Sequence, residues 1–572
     1  MNYIEKYNLW CTSESFDKKT REELLSIKDN KKDVIDRFYK DLEFGTGGLR
    51  GVLGNGSNRM NRYTVGKATQ GVADYINLTD EPNKSVVIAY DSRHMSKEFA
   101  KETALCFNAN GIKTYLFTSL RPTPELSFAV RYLNCTAGVV ITASHNPAQY
   151  NGYKVYWKDG AQITPPLDKE LIECVNKVTD YRSIKSISEE KAKSKGLLKL
   201  IDKDIDEKFL KSVKNITFAD DDISLEKENL KIVYTPLHGA GNISVQKVLQ
   251  ESGYKNVFMV REQQNPDGDF PTVKYPNPEE KSAFELALRY ANEKEADIVL
   301  ATDPDADRLG VYAKNATGEY ISFNGNMIGC LLAEYILSQL KKKDKLPPNG
   351  VIVKTIVTTN MLNAIAESYD IAIEQVLTGF KYIGEKINSY EKNHKYKYIF
   401  GAEESYGYLA DTYVRDKDAV STVKLLCEMT SYYKKLGKTL CDVMQEIYQK
   451  YGYYKEELFY ITLDGMDGAQ KIAKIMKTVR ESYPKYIGRE KVLCVEDYLI
   501  SKKFDFVNNT ETRIELNKSD VLYFTLKNNS FCCLRPSGTE PKIKIYIGVK
   551  AQNSQKAEER VADIKKGIEK YF

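Results

Sequence analysis

The sequence predicts a series of α/β units closed by an α+β unit, and three observations carry that expectation. Short apolar runs rich in β-branched residues alternate with helical stretches. The alternation restarts twice, after a charged piece at Lys185–Lys195 and after the Lys- and Pro-rich stretch Lys341–Gly350. From about Tyr454 the apolar runs instead follow one another closely, the mark of a largely antiparallel sheet. The boundaries expected on this reading are 1–204, 205–330, 331–453 and 454–572. A chain of 572 residues is too long for one core and suits several.

In the first unit a polar helical lead-in precedes Gly45-Thr46-Gly47-Gly48-Leu49-Arg50-Gly51. Its glycines let backbone N–H groups approach an anion, and Arg50 can grip a phosphate at two points; a flexible turn is the plain alternative. Strands are expected at Ser85–Tyr90, Lys113–Thr118 and Ala137–Ile141, with helices from Ser96 toward Gly111 and from about Pro124 between them. This βαβ order implies a mostly parallel sheet with functional loops at strand ends. The last of these strands runs into Thr142-Ala143-Ser144-His145-Asn146-Pro147. Pro147 lacks an N–H and biases Asn146 away from helix, so the Ser-His pair stands on a loop, as a nucleophile or as a capped turn. Asn151–Tyr156 is a further strand and carries Lys154 close to that loop.

The second unit repeats the pattern with strands at Lys231–Tyr234, Asn256–Val260 and Asp297–Ala301. The third of these leads into Thr302-Asp303-Pro304-Asp305-Ala306-Asp307-Arg308. Alternate aspartates on an extended loop bring three hard oxygen ligands to one side, which suits Mg²⁺. A solvated acidic turn is the alternative, and the Gly and terminal Glu of an EF-hand are missing. The third unit has strands at Val351–Val357 and Ile371–Leu377, then Thr378-Gly379-Phe380-Lys381, and Tyr398–Phe400 leading into Gly401-Ala402-Glu403-Glu404-Ser405. Glu403 and Ser405 fall on one face of an extended loop and suit the hydroxyls of a sugar, as they would any surface loop. In the last unit, strands at Val521–Lys527, Ser530–Leu534 and Lys542–Val549 and an amphipathic helix at Ser554–Tyr571 frame Arg535-Pro536-Ser537-Gly538-Thr539, a phosphate cradle.

Composition excludes several classes. With 42% hydrophobic and 28% charged residues the chain has enough apolar matter to fold throughout. Its net charge of +5 is a small difference between 84 basic and 79 acidic residues and does not argue for nucleic acid. Ten scattered cysteines, without a CxxC or Cys/His cluster, read as reduced thiols. No stretch has signal-peptide or transmembrane character, so a cytoplasmic protein without a membrane partner is expected.

Four ordered motifs, the Ser loop at 142–147, the Asp loop at 303–308, the sugar loop at 403–405 and the phosphate loop at 535–539, make the chain resemble the α-D-phosphohexomutase superfamily, the phosphoglucomutases and phosphomannomutases. The resemblance runs from about Phe44 to the C-terminus. It implies three topologically similar α/β domains with mixed, mostly parallel sheets and a fourth α+β domain around a central cleft. It also implies a phosphoserine at Ser144, with Mg²⁺ held by Ser144, Asp303, Asp305 and Asp307. By the same resemblance Glu403 and Ser405 contact sugar hydroxyls, and Arg535, Ser537, Gly538 and Thr539 bind the phosphate that is not reacting. Arg50, Lys154, Arg308 and Lys381 match positions near reacting or bound groups, and His145 adjoins the nucleophile. Lys154 is the favoured proton carrier, with His145 or Arg50 assisting. The activity implied is interconversion of glucose 1-phosphate and glucose 6-phosphate through glucose 1,6-bisphosphate, by a monomer or weak dimer. The Glu-Glu-Ser-Tyr sugar loop is similar to the glucose-preferring or phosphopentomutase branch, which leaves pentose and mannose phosphates as alternatives. A metal phosphohydrolase and a non-catalytic sugar-phosphate sensor are the rivals from other classes.

Overall fold

A computed structural model describes residues 1–45, 47–219, 222–463, 468–537 and 542–572. Two units emerge from it. One comprises Met1–Asn324, Phe380–Gly401 and Ser405–Thr439; the other comprises Gly325–Gly379, Ala402–Glu404 and Leu440–Phe572. Residues that the sequence groups as 331–453 are thus shared between them.

The first unit begins with helices Tyr3–Thr12, Lys18–Ser26 and Lys31–Phe38, each opened by an Asn or Asp whose side chain accepts a backbone N–H of the first turn. The polar lead-in therefore has a core of its own, in which Trp10 stacks on Phe16 at 4.1 Å beside buried Phe38. Next comes a sheet of six strands, β1 (Gly48–Val52), β2 (Ser85–Tyr90), β3 (Lys113–Phe117), β4 (Ala137–Ile141), β5 (Tyr150–Trp157) and β6 (Leu198–Ile201), in the order β1-β5-β4-β2-β3-β6. Strands β2, β3, β4 and β6 run parallel to one another, and β5 lies antiparallel between β4 and β1. Strands β2 and β4 are buried at every residue, which is why they read as unbroken apolar runs.

Two expectations change here. Much of the glycine-rich stretch is strand rather than loop: Gly48 to Val52 form the edge strand β1. Gly48 has φ +134°, and a Cβ on it would lie 1.8 Å from the Tyr153 carbonyl, so close strand approach is what requires the glycine. The Lys185–Lys195 connection is partly ordered structure, since Ser188 caps the helix Glu189–Ser194 and β6 follows it.

The second sheet contains β7 (Lys231–Thr235), β8 (Asn256–Met259), β9 (Ile298–Thr302), β10 (Leu309–Lys314) and β11 (Tyr320–Phe323), in the order β11-β10-β9-β7-β8. Parallel β7, β8 and β9 are extended by antiparallel β10 and β11. In the other unit β12 (Gly350–Thr355) pairs in parallel with β13 (Ala372–Val376). Strand β14 (Lys397–Glu403) runs from the first unit into the second. The second unit ends in an antiparallel sheet whose central strands are Leu522–Leu526, Ser530–Pro536 and Lys542–Ala551, packed against the helix Ser554–Glu569 around Phe524, Leu534, Ile545 and Ile564. Among the described residues no helix is long and apolar enough to cross a membrane.

Candidate active site

Ser144 sits three residues beyond β4 with φ +51°, a left-handed conformation that a side chain adopts only when its surroundings impose it. Those surroundings are two buried residues at the end of β2. Arg93 donates to the carbonyls of Ser144 (2.6 Å), Pro147 (2.8 Å), Tyr150 (3.1 Å) and Asn146. Asp91 accepts the Thr142 hydroxyl at 2.6 Å, and Thr142 Oγ1 in turn accepts the Ser144 N–H at 2.8 Å. The Arg93 guanidinium also pairs with Asp91 at 3.3 Å and lies 5.0 Å over the Phe270 ring. One cation thus gathers four carbonyls of the loop and fixes the direction of the serine.

That direction is toward Asp303. Ser144 Oγ donates to Asp303 Oδ2 at 2.6 Å, and Asp303 Oδ1 accepts the N–H groups of Asp307 (3.1 Å) and Arg308 (3.0 Å). The aspartates do not lie on an extended loop. Ala306 at φ +50° folds them into a turn, and this brings a carboxylate oxygen of Asp303, Asp305 and Asp307 within 4.8 Å of one another. Lys154 Nζ contacts Asp305 Oδ2 at 2.8 Å and Asp307 Oδ2 at 3.5 Å. Lys417 Nζ reaches Asp307 Oδ2 at 2.9 Å, and the Thr123 hydroxyl donates to Asp305 Oδ2 at 2.8 Å.

The electrostatics follow from this crowding. Burial, together with the charges of Asp307 and Asp305, pushes the Asp303 carboxyl well above its ordinary range. Burial acts the same way on Asp305, but the charge and hydrogen bond of Lys154 outweigh it and hold that carboxylate low. Lys154 loses basicity to burial and regains more from Asp305 and Asp307, so it stands charged. Asp305 Oδ1 and Asp307 Oδ1 are buried without a hydrogen-bond partner. Three converging carboxylates with two such oxygens form a hard donor set that fits Mg²⁺.

The other expected residues distribute as follows. His145 Nδ1 lies 3.2 Å from Ser144 Oγ, and burial with the positive charges of Arg308 and Arg50 drives its pKa well below the usual value, leaving a neutral ring. Arg50 is exposed on β1 and donates to Asn146 Oδ1 at 3.0 Å. Arg308 pairs with Glu279. Lys381 stands in the first turn of the helix Phe380–Asn393 and donates to the Ile163 carbonyl at 3.4 Å. Ser405 lies in a turn whose Tyr406 carbonyl accepts the Leu309 N–H at 3.1 Å.

In the second unit Glu403 is buried at the end of β14, and the neighbouring Glu404 accepts the hydroxyls of Thr355 (2.9 Å) and Thr358 (3.3 Å). Arg535 lies in the strand Ser530–Pro536 opposite Lys544, and the Ser537 N–H donates to the Lys542 carbonyl at 2.8 Å. Gly538 and Thr539 fall outside the described residues.

Sequence reasoning missed Arg93, Thr123 and Lys417 as parts of the site. Arg93 had a signal, because Asp91-Ser92-Arg93 stands at a strand end as Ser144 does. For the other two, single residues in the helix openings Arg121–Glu125 and Arg415–Ala419, there was none.

Models of phosphoglucomutase/phosphomannomutase domains I, II and III match residues 41–182, 207–318 and 324–451. A phosphoglucomutase from Staphylococcus haemolyticus is 37% identical over 92% of this chain and 93% of its own length. The chain belongs to the phosphoglucomutase/phosphomannomutase family. A phosphoglucomutase from Staphylococcus aureus strain MSSA476 is 39% identical over 90% of the chain and 91% of its own length. Two solved structures share the fold. Parafusin, a phosphoglucomutase of Paramecium, is 18% identical with a TM-score of 0.68, covering 93% of this chain and 95% of its own. A phosphoglucomutase/phosphomannomutase family protein from Burkholderia thailandensis is 17% identical with a TM-score of 0.67, covering 92% and 97%. As a family member the chain has three α/β domains with mixed sheets followed by a C-terminal domain with an antiparallel sheet. It is an enzyme, an isomerase that works by phosphotransfer within its substrate.

Proposed function

We propose that the chain is a phosphoglucomutase: Ser144 carries the transferred phosphoryl group and exchanges it with glucose 1-phosphate and glucose 6-phosphate through glucose 1,6-bisphosphate. The observation that carries this reading is Ser144 Oγ, 2.6 Å from a buried aspartate whose two companions, Asp305 and Asp307, each present an oxygen without a hydrogen-bond partner. Phosphoryl transfer proceeds through a loose transition state, so positioning and charge neutralisation are what a protein contributes to it. Arg93 positions the serine, and Lys154, which pairs with Asp305 at 2.8 Å, would meet an oxygen of the transferring group. Neutral His145, beside the hydroxyl, assists Lys154 in moving the proton. Asp303, Asp305 and Asp307 hold Mg²⁺, which when bound neutralises charge on the reacting phosphoryl oxygens.

Glu403 and Ser405 take the sugar hydroxyls. Arg535, with Ser537, Gly538 and Thr539, takes the distal phosphate, while Arg308, Arg50 and Lys381 add positive charge where the substrate carries negative. The name borne by the relatives at 37% and 39% identity favours glucose over mannose or pentose. We place the enzyme in the cytoplasm, where its ten cysteines stay reduced.

Comparing kcat/KM on the 1-phosphates of glucose, mannose, ribose and deoxyribose, with Mg²⁺ and the bisphosphate activator present, tests the reading. Glucose 1-phosphate is expected to lead. A ribose preference overturns the sugar while sparing the transfer chemistry. Release of free phosphate makes the protein a phosphohydrolase, and silence on all four makes it a sensor.

A further inference from the structure

Asp305 and Asp307 share an arrangement that phosphoryl transfer alone does not require. Each gives one carboxylate oxygen to protein donors and keeps the other without a hydrogen-bond partner. On Asp305, Oδ2 takes both the Thr123 hydroxyl (2.8 Å) and Lys154 Nζ (2.8 Å). On Asp307, Oδ2 takes Lys417 Nζ at 2.9 Å.

The groups that do the pinning are themselves fixed. Thr123 is the first residue of the helix Thr123–Tyr132, and its backbone N–H donates to the Asp305 carbonyl at 2.9 Å, so one residue grips both the side chain and the main chain of Asp305. Lys417 precedes Asp418, whose carboxylate caps the helix Ala419–Lys435, and the Ala419 N–H donates to the Ala306 carbonyl at 3.2 Å. The segment that supplies Lys417 therefore also holds the backbone of the aspartate turn.

We propose that Thr123 and Lys417 are positioning residues that restrict Asp305 and Asp307 to one oxygen each toward a divalent cation, and thereby set a preference for Mg²⁺ over a larger ion such as Ca²⁺. This rests on the Mg²⁺ reading given above. Mg²⁺ demands near-octahedral geometry with single-oxygen ligands at about 2.0–2.1 Å, whereas Ca²⁺ accepts roughly six to eight oxygens and readily takes a carboxylate by both. A carboxylate with one oxygen pinned must give up those contacts to turn and offer two. Groups behind metal ligands tune affinity in this way by orienting them.

Because Thr123 is neutral and Lys417 charged, the pair separates orientation from charge. Calorimetric titration of Mg²⁺ and of Ca²⁺ into the full-length protein, wild type and variants, reads the effect without turnover. Thr123→Val is expected to weaken Mg²⁺ about tenfold and Ca²⁺ less, so that the Mg²⁺:Ca²⁺ affinity ratio falls, while Thr123→Ser keeps the wild-type ratio. Lys417→Met removes a positive charge and so strengthens both ions, yet its ratio also falls. Wild-type ratios in both Thr123→Val and Lys417→Met overturn the proposal. If circular dichroism shows Thr123→Val misfolded, the ratio in Lys417→Met decides alone. A wild type that binds neither ion retires the Mg²⁺ reading and this inference with it, an outcome distinct from an unchanged ratio.

Discussion

Each unit shields a lysine from water, Lys154 largely and Lys354 completely, and the two respond in opposite directions. In the first unit Lys154 points at Asp305 and Asp307, and the carboxylates raise its pKa despite burial. In the second, Lys354 of β12 is completely buried and donates to the carbonyls of Thr358 (2.8 Å) and Thr359 (3.2 Å) and to Asn360 Oδ1 (2.9 Å). Carbonyl dipoles compensate an ammonium less well than carboxylates do. Burial drives Lys354 down to about 7, although Glu456, Cys330 and Glu404 act the other way. The contrast separates a cation kept charged for chemistry from one that ties a loop to a strand. Altering the first should cost rate, and altering the second should change stability.

The largest expected effect on turnover is at the first. Asp305→Asn removes one of three charges from the proposed cation site and the principal partner of Lys154, and should lower kcat by on the order of a thousandfold, about 4 kcal/mol. Melting temperature should hold, because Asp307 remains 3.5 Å from Lys154 and the strain of three crowded carboxylates is relieved. A variant that melts early while its surviving folded fraction turns over at the wild-type rate would make the aspartates structural and erase the contrast.

Next is Lys354. The unfolded chain keeps this lysine protonated up to its ordinary pKa of about 10.5, but the folded chain releases the proton above about 7. Between those values the unfolded state binds more protons, so unfolding free energy should climb as pH rises from about 7 to 10.5. The climb contributed by Lys354 is at most about 5 kcal/mol. Lys354→Met should flatten it, with turnover retained. Denaturant unfolding of both proteins at pH 7, 8.5 and 10 measures the difference, and equal slopes would show the lysine to be ordinary.

Legibility in the sequence followed the same physical lines. Strands buried on both faces, such as Ser85–Tyr90 and Ala137–Ile141, are continuous apolar runs and stand where their composition puts them. Strand β1 was hidden because Gly48 is needed for close approach rather than for a turn, and β6 because Leu198-Lys199-Leu200-Ile201 is four residues at a sheet edge. Ser144 and the three aspartates could be found because each group is contiguous and follows a buried strand. Thr123 and Lys417 could not, because they reach Asp305 and Asp307 only through folding, from 182 and 110 residues away. A helix-opening threonine and a lysine beside a capping aspartate have ordinary local reasons to exist. The left-handed turn at Ala306, which gathers the carboxylates, was invisible for the opposite reason: alanine carries no signal for it.

The smallest effect expected is at Arg93, another buried cation, whose place in the contrast is open to direct test. It resembles Lys354 in its partners, which are mostly carbonyls, and Lys154 in its location, since those carbonyls belong to the loop that aims Ser144. Arg93→Lys keeps the charge and removes the planar fork. An ammonium has three donors on a flexible stem and cannot hold the carbonyls of Ser144, Asn146, Pro147 and Tyr150 together while also meeting Asp91. If the arginine serves the reaction, Ser144 should relax from φ +51° toward an unstrained conformation, with its hydroxyl drifting from Asp303. The expected outcome is a fall in kcat of roughly tenfold to thirtyfold, about 1.4–2 kcal/mol, with KM for the sugar phosphate little changed and melting temperature within a few degrees of wild type. Loss of melting temperature with kcat preserved would place Arg93 with Lys354 as a structural tie. In that event the strain at Ser144 would have to be held by Asp91 and Thr142 alone.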